Sequence, residues 1–461
     1  MNKYLISCIA FLLISTTILK AQENEGFKLS NFQTPDFSRK VLGISLDSES
    51  NFSNYNNEID SEKNSNGNSF LSTNLFKLSF GDYTNSRDKI SYYGITLNTG
   101  LRINNSENFN TPSYSNKITN SETELSLMWN NKRFIQPKFF LIYNINSGYD
   151  FEFKKYNYDG NYIRFENYTK NRFNFTPAVG VGIGRIEDVT DARQALYIIE
   201  ALENKNVLSR KMTAQEINEF ARVISSVKNK RFLDARLHKI EELTAVDEFL
   251  NANELLKKSD ISYFTELNDM WEYGDLFPRK SGYELSLDNS LYSNWYNAKF
   301  KDEELKVDSV NAYHDLSNVI SLNFNYCMPS GLNWQHDFLM RVSSYFPYKS
   351  ANNDLSLSQL EKMPISLSST LSYKIGYYPN TRTNFYASIL TGFNPKLETG
   401  YGRTNAVLGL GTYYYFSPNL RLSANVNMYN THIKSDYSDG RMMYNNNFST
   451  RLEIGFNYFI F

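Results

Sequence analysis

Four histidines, His238, His314, His336 and His432, are the side chains best suited by type to ligate a metal or act as a general base. No two of them stand three or four residues apart, so no helix face carries a paired ligand set. Cys8 lies in the opening apolar run, and Cys327 is the only other cysteine. A lone thiol in the exported chain makes neither an internal disulfide nor a cysteine metal cage. Gly180-Val181-Gly182-Ile183-Gly184 is glycine-rich but lacks the following Lys-Ser/Thr of a phosphate loop. Asp302-Glu303-Glu304 gathers carboxylates, as solvated loops commonly do. The 48 basic and 49 acidic side chains cancel to −1, which argues against a nucleic-acid partner. No catalytic, cofactor or metal site is expected.

The elements that would position these residues are read from periodicity. Aromatic residues make up 15%, with 34 Tyr and 33 Phe against 4 Trp, and a mean hydropathy of −0.49 excludes a bundle of membrane helices. After residue 40 the dominant period is two. Tyr93, Ile95, Leu97, Thr99, Leu101 and Ile103 alternate with Gly94, Thr96, Asn98, Gly100, Arg102 and Asn104. Similar runs begin at Ile320, Ile365 and Leu420. They often reach ten residues, longer than typical sandwich strands and enough for a tilted strand to cross a bilayer. Aromatic pairs such as Tyr92-Tyr93, Tyr345-Phe346 and Tyr377-Tyr378 stand at their ends, where rings settle at lipid headgroups.

Met1-Asn2-Lys3 followed by the apolar run Tyr4 to Leu19 and Lys20-Ala21-Gln22 reads as a signal peptide cut after Ala21. Leu5-Ile6-Ser7-Cys8 precedes most of the apolar run, too early for a lipoprotein cleavage box.

At the other end Phe448, Thr450, Leu452, Ile454, Phe456, Tyr458 and Ile460 alternate up to Phe461. This end, with the strand pattern before it, resembles the outer-membrane β-barrel proteins of Gram-negative bacteria. The Asn- and Tyr-rich style is similar to barrels of the Bacteroidota. The resemblance implies an all-β transmembrane antiparallel β-barrel of about 14 strands in outer-membrane lipid. It also makes Phe461 the signal read by the barrel assembly machinery. The expected spans are 40–53, 69–84, 89–105, 119–131, 137–153, 172–186, 280–297, 308–327, 331–346, 363–378, 382–394, 404–417, 419–431 and 446–461. Barrel lipases carry Ser and His on the lipid-facing side of adjacent strands. His336 falls on that register with Trp334 and Phe338, but Phe338 stands where the serine would be.

Long connections near 54–68, 105–118, 150–171, 347–362 and 430–445 alternate with short ones at 86–88, 328–330, 379–381 and 417–418. In such barrels short turns face the periplasm and long loops the outside. One connection differs. No Gly occurs between Gly184 and Gly274, and the period shifts to 3.6. Ala192, Leu196, Ile199 and Leu202 form one stripe, and Thr213 and Glu216 a capping box before Ile217, Phe220, Ala221, Ile224 and Val227. A third helix is expected from Arg231 with Leu233, Leu237 and Ile240, and a fourth over 259–270. The insertion replaces a short turn and is therefore periplasmic. It either forms a small bundle, lies on the barrel mouth or enters the lumen. Its 13 acidic and 12 basic residues over 187–258 suit a wet surface, with Lys228, Lys230, Arg231, Arg236 and Lys239 as the densest basic stretch. The divisions are thus 1–21 signal peptide, 22–39 periplasmic segment, 40–186 first barrel part, 187–277 helical insertion and 278–461 second barrel part.

The polar register places Lys77, Arg102, Arg341, Lys374, Arg421 and Arg451 on the lumen side, against Glu122, Glu124, Glu284, Asp288, Asp337 and Glu453. This balance implies weak ion selectivity. About 14 strands lie between a filled small barrel and an open porin. The expected function is a channel or transporter for small solutes with a periplasmic gate or docking module. A non-conducting barrel that holds a periplasmic partner is the alternative, and transport of hydrophobic molecules a further one.

Overall fold

The computed structural model describes residues 26–59, 63–108, 114–159, 164–230, 235–302, 306–350, 360–395, 402–436 and 442–458. The signal segment 1–21 and Phe461 lie outside them.

Alternating apolar and small polar residues produce one antiparallel sheet in sequence order. Before the helices come β1 (Phe37–Ile59), β2 (Lys63–Asn85), β3 (Lys89–Asn108), β4 (Tyr114–Phe134), β5 (Phe139–Asp159) and β6 (Arg164–Asp188). After them come β7 (Lys280–Asp302), β8 (Val307–Ser330), β9 (Trp334–Ser350) and the short β10 (Leu360–Lys362). The sheet ends with β11 (Ser366–Tyr377), β12 (Thr383–Pro395), β13 (Gly402–Ser417), β14 (Leu420–Asp436) and β15 (Met442–Tyr458). Apart from β10, which pairs only with β9, fourteen strands form a continuous meander. This is an antiparallel barrel architecture of the expected strand number with an inserted helical module. An even number makes β1 and β15 antiparallel to one another, the relation that a closing ladder requires.

Cross-strand partners share a face, so the register separates the two sides. One side is apolar and exposed: Ile44 pairs with Leu78, Leu78 with Leu97, and Leu97 with Leu125. On β6, Val179, Val181 and Ile183 are 64%, 43% and 45% exposed, as in a wall that faces acyl chains rather than a protein core. The opposite side carries the glycines and charges. Gly182 is needed there because a Cβ would stand 2.3 Å from the ring of Phe140, which packs with Phe134 and Ile142.

Several strands are longer than the hydrophobic pattern indicates. The expected loops 54–68, 105–118 and 150–171 are largely strand, since β1 to β6 contain 20 to 25 residues each. The expected turn 328–330 belongs to β8, and the chain reverses at Gly331, which has φ +60°. Ladder hydrogen bonds continue where both faces are wet, and hydropathy carries no signal there.

The helices are α1 (Thr190–Asn204), α2 (Ala214–Asn229), α3 (Ala235–Ala252) and α4 (Ile261–Tyr273). Thr213 and Glu216 form the expected capping box on α2. Ala192, Leu196, Ile199 and Leu202 are buried against Ile217, Phe220, Ala221 and Ile224. The helices thus form a bundle with its own core. Phe27, Leu29 and Phe32 join that core, so the segment before β1 is part of the module. The expected start of α3 at Arg231 lies outside the described residues, and α4 begins at Ile261 rather than 259. Ile240, expected on the buried stripe, is 78% exposed, while Val246 and Leu250 fill the core.

Candidate functional site: the charged wall and its helical cover

The polar face of the sheet is built by register. Lys77 pairs with Asn98, Asn98 with Glu124, Glu124 with Asp150, Asp150 with Arg172, and Arg172 with Tyr296. Asn98 Nδ2 donates to Glu124 Oε2 at 3.0 Å, and Arg172 Nε donates to Asp150 Oδ2 at 2.5 Å. One row higher, Glu122 lies opposite Glu152. The Glu152 carboxylate is buried and takes Lys154 Nζ at 2.6 Å and Lys170 Nζ at 2.5 Å, one on each oxygen. Arg102 lies opposite Asn120, which donates to Glu122 at 2.5 Å.

The remaining charges expected on this side also lie on it by register. Glu284 receives the ammonium of Lys132. Asp288 accepts from Asn323 Nδ2 at 2.6 Å. Asp337 stands opposite Lys374 and accepts from Gln335 at 2.8 Å, while Arg341, its neighbour on the same face, lies opposite Thr370. Lys374 sits over the Tyr386 ring at 4.6 Å, and Arg421 over Tyr413 at 4.8 Å. Arg451 and Glu453 pair along one strand at 2.6 Å. The sequence expectation does not include Asp150, Glu152, Lys154, Lys170 and Arg172: Lys154 and Lys170 fall in the expected connection 150–171, and the other three stand at the ends of the expected strands 137–153 and 172–186.

At the end of the short turns the helical module meets this wall. Phe277 is buried with its ring 5.6 Å from both Tyr378 and Tyr415. Arg382 lies over Tyr273 at 3.9 Å and donates to Asp269 at 2.6 Å. On the other side of the mouth Arg185 holds Asn85 and the Ser86 carbonyl, at 2.7 and 2.8 Å. The bundle is thus joined through Phe277 to the turn after β11 and the end of β13, and to Arg382 through Asp269 and Tyr273. Part of the expected basic stretch is committed inside the module. Lys228 is buried between Asp275 at 2.6 Å and Asp191 at 3.3 Å, and Lys239 is bonded to Glu272. The side chains of Arg231 and Arg236 fall outside the described residues, and Lys230 is exposed.

Two arginines sit at the centre of this junction, each with none of its surface exposed: Arg193 on α1 and Arg279 just before β7. Both guanidinium groups lie on the Tyr378 ring, at 5.4 and 4.3 Å. Arg193 Nη2 donates to the Gly274 carbonyl at 3.1 Å. Arg279 Nη2 donates to the carbonyls of Gly331, Leu332 and Trp334 at 3.3, 3.1 and 2.7 Å. Burial, then the charge of Arg193, holds Arg279 down to about 10, and burial lowers Arg193 as well.

Two of the histidines sit in side-chain pairs between neighbouring strands. His336 bonds the Tyr373 hydroxyl at 2.8 Å on the apolar side, and His314 stacks on Trp295 and bonds Ser293 Oγ at 2.7 Å. Both members of that second pair are buried. Among the described residues no group of three His, Cys, Asp or Glu could hold a metal.

No family model and no curated protein matches this chain. Among solved structures it is similar to the translocator domain of autotransporter NalP from Neisseria meningitidis. The identity is 8% and the TM-score 0.29, over 89% of this chain and 98% of that one. The toluene transporter TodX of P. putida shares 7% identity at TM-score 0.32, over 94% of each chain. OmpT, an outer membrane protein of Vibrio cholerae, shares 9% at TM-score 0.24, over 91% of this chain and 99% of that one.

Proposed function

We propose that this chain is an outer-membrane β-barrel that passes small polar solutes, with the helical module as its periplasmic gate. The observation that carries the reading is the seat of Phe277 on Tyr378 and Tyr415, which joins the module to the inward wall at the mouth. The apolar outer face supports a bilayer as its surroundings, and the signal-like start supports export. Phe461 is the assembly signal in this reading. An inward wall of carboxylates, lysines and carboxamides favours polar solutes over hydrophobic molecules.

Planar-bilayer conductance tests it. The expected result is small or intermittent current through the whole chain, which rises when residues 190–275 are replaced by a short turn. Absence of current in both proteins overturns it. That outcome would leave the second reading, a scaffold for a periplasmic protein. The exposed apolar residues Ile240, Ile261 and Phe264 on the module favour that reading.

A further inference from the structure

We infer that Arg193 and Arg279 form a binding site for one phosphate-type oxyanion at the junction between the module and the barrel. Nε and Nη1 of both arginines are buried and have no hydrogen-bond partner among the described residues, and the same holds for the hydroxyl of Tyr197. The Arg193 guanidinium lies over the rings of both Tyr197 and Tyr378, at 5.2 and 5.4 Å, and Arg279 shares the Tyr378 ring at 4.3 Å, so both guanidinium groups gather around one aromatic ring. Two guanidinium groups on one aromatic ring repel each other, and burial raises the cost of each charge.

The nearby carboxylates are committed elsewhere. Asp275 accepts from Lys228 at 2.6 Å, and Asp188 from the Thr190 amide and hydroxyl at 2.9 and 2.5 Å. What the junction offers is forked N–H donors and positive charge. The ligand that complements it is compact, anionic and rich in acceptor oxygens, as a phosphate group is. Tyr378 lies next to the turn and its ring packs over Gly376, which pairs with Gln335 on the inward face. The ligand therefore arrives from the aqueous side and not from the lipid.

The test uses the full chain in detergent and inorganic phosphate as the probe. Equilibrium dialysis with labelled phosphate at constant ionic strength is expected to saturate at one phosphate per chain. Phosphate, but not chloride, is expected to raise the unfolding temperature of the module. Arg193→Gln and Arg279→Gln should each weaken binding by at least about tenfold, since a charge-assisted fork is lost. Tyr197→Phe, which removes only a hydroxyl, should keep the fold and weaken binding several-fold. Non-saturating uptake, or equal binding in wild type and Tyr197→Phe together with either folded arginine variant, overturns the site. Dialysis reads no conductance, so this result stands apart from the channel reading.

Discussion

Phe277 and Tyr378 meet ring to ring at 5.6 Å with their planes tilted by 56°. The first ends the helical insertion and the second follows β11, so one contact ties a bundle with its own core to a wall built of separate strands. Tyr415 closes on the same phenylalanine edge-on, at 74°. Tilted and edge-on pairs are the favourable aromatic geometries, each contributing about 0.5–1.5 kcal/mol beyond area burial.

Phe277→Ala should therefore detach the module without unfolding the barrel. Removing a buried phenylalanine costs about 3–5 kcal/mol, and here the loss falls on the junction. The expected outcome is rapid proteolysis within 190–275 while the strands stay resistant and heat-modifiable on gels. A barrel that unfolds together with the module would contradict it.

Acid should weaken the module through Glu216. The Arg210 guanidinium and the Thr213 amide hold its carboxyl down from the ordinary 4.5 to about 2. Because the folded pKa is the lower one, its contribution is complete above about pH 4.5 and is lost as pH falls toward 2. Helix melting followed by circular dichroism should show this decline, and Glu216→Gln should flatten it. Some acid sensitivity will persist, because Ser262 and Lys258 likewise lower the carboxyl of Asp260.

The two faces of β3 should respond oppositely to charge. Leu97 lies between Leu78 and Leu125, whereas Thr96 lies between Ser79 and Ser126. Leu97→Arg puts a guanidinium into acyl chains, at a cost of about 2–4 kcal/mol near the midplane. Thr96→Arg puts it against the polar wall and should fold with near wild-type yield. Refolding efficiency into lipid vesicles measures both, and equal yields would refute the assignment of faces.

Charge removal at Glu152 should alter ion preference if the barrel conducts. Its carboxylate pairs with both Lys154 and Lys170, and Glu152→Gln removes the negative charge that the two ammonium groups share. Reversal potentials in a salt gradient should shift toward anion preference. An unchanged potential would show that ions do not pass this row.

The alternation of apolar and polar residues was enough to define a fourteen-stranded meander, the face on which Lys77 or Glu124 lies, and the helical character of 190–273. Such features are local: a period of two or 3.6 is written into adjacent residues wherever one side meets lipid or core. The heights of the strands were not legible. Around Lys170 the neighbours Thr169 and Asn171 are polar as well, so the start of β6 shows no alternation and reads as loop, while Glu152, between Phe151 and Phe153, stands at the very end of the expected strand 137–153. Nor could the seat of the module be read. Phe277, Tyr378 and Tyr415, like Arg193 and Arg279, come from segments far apart in the chain, and only the closed geometry of turns and helices brings their rings and charges together.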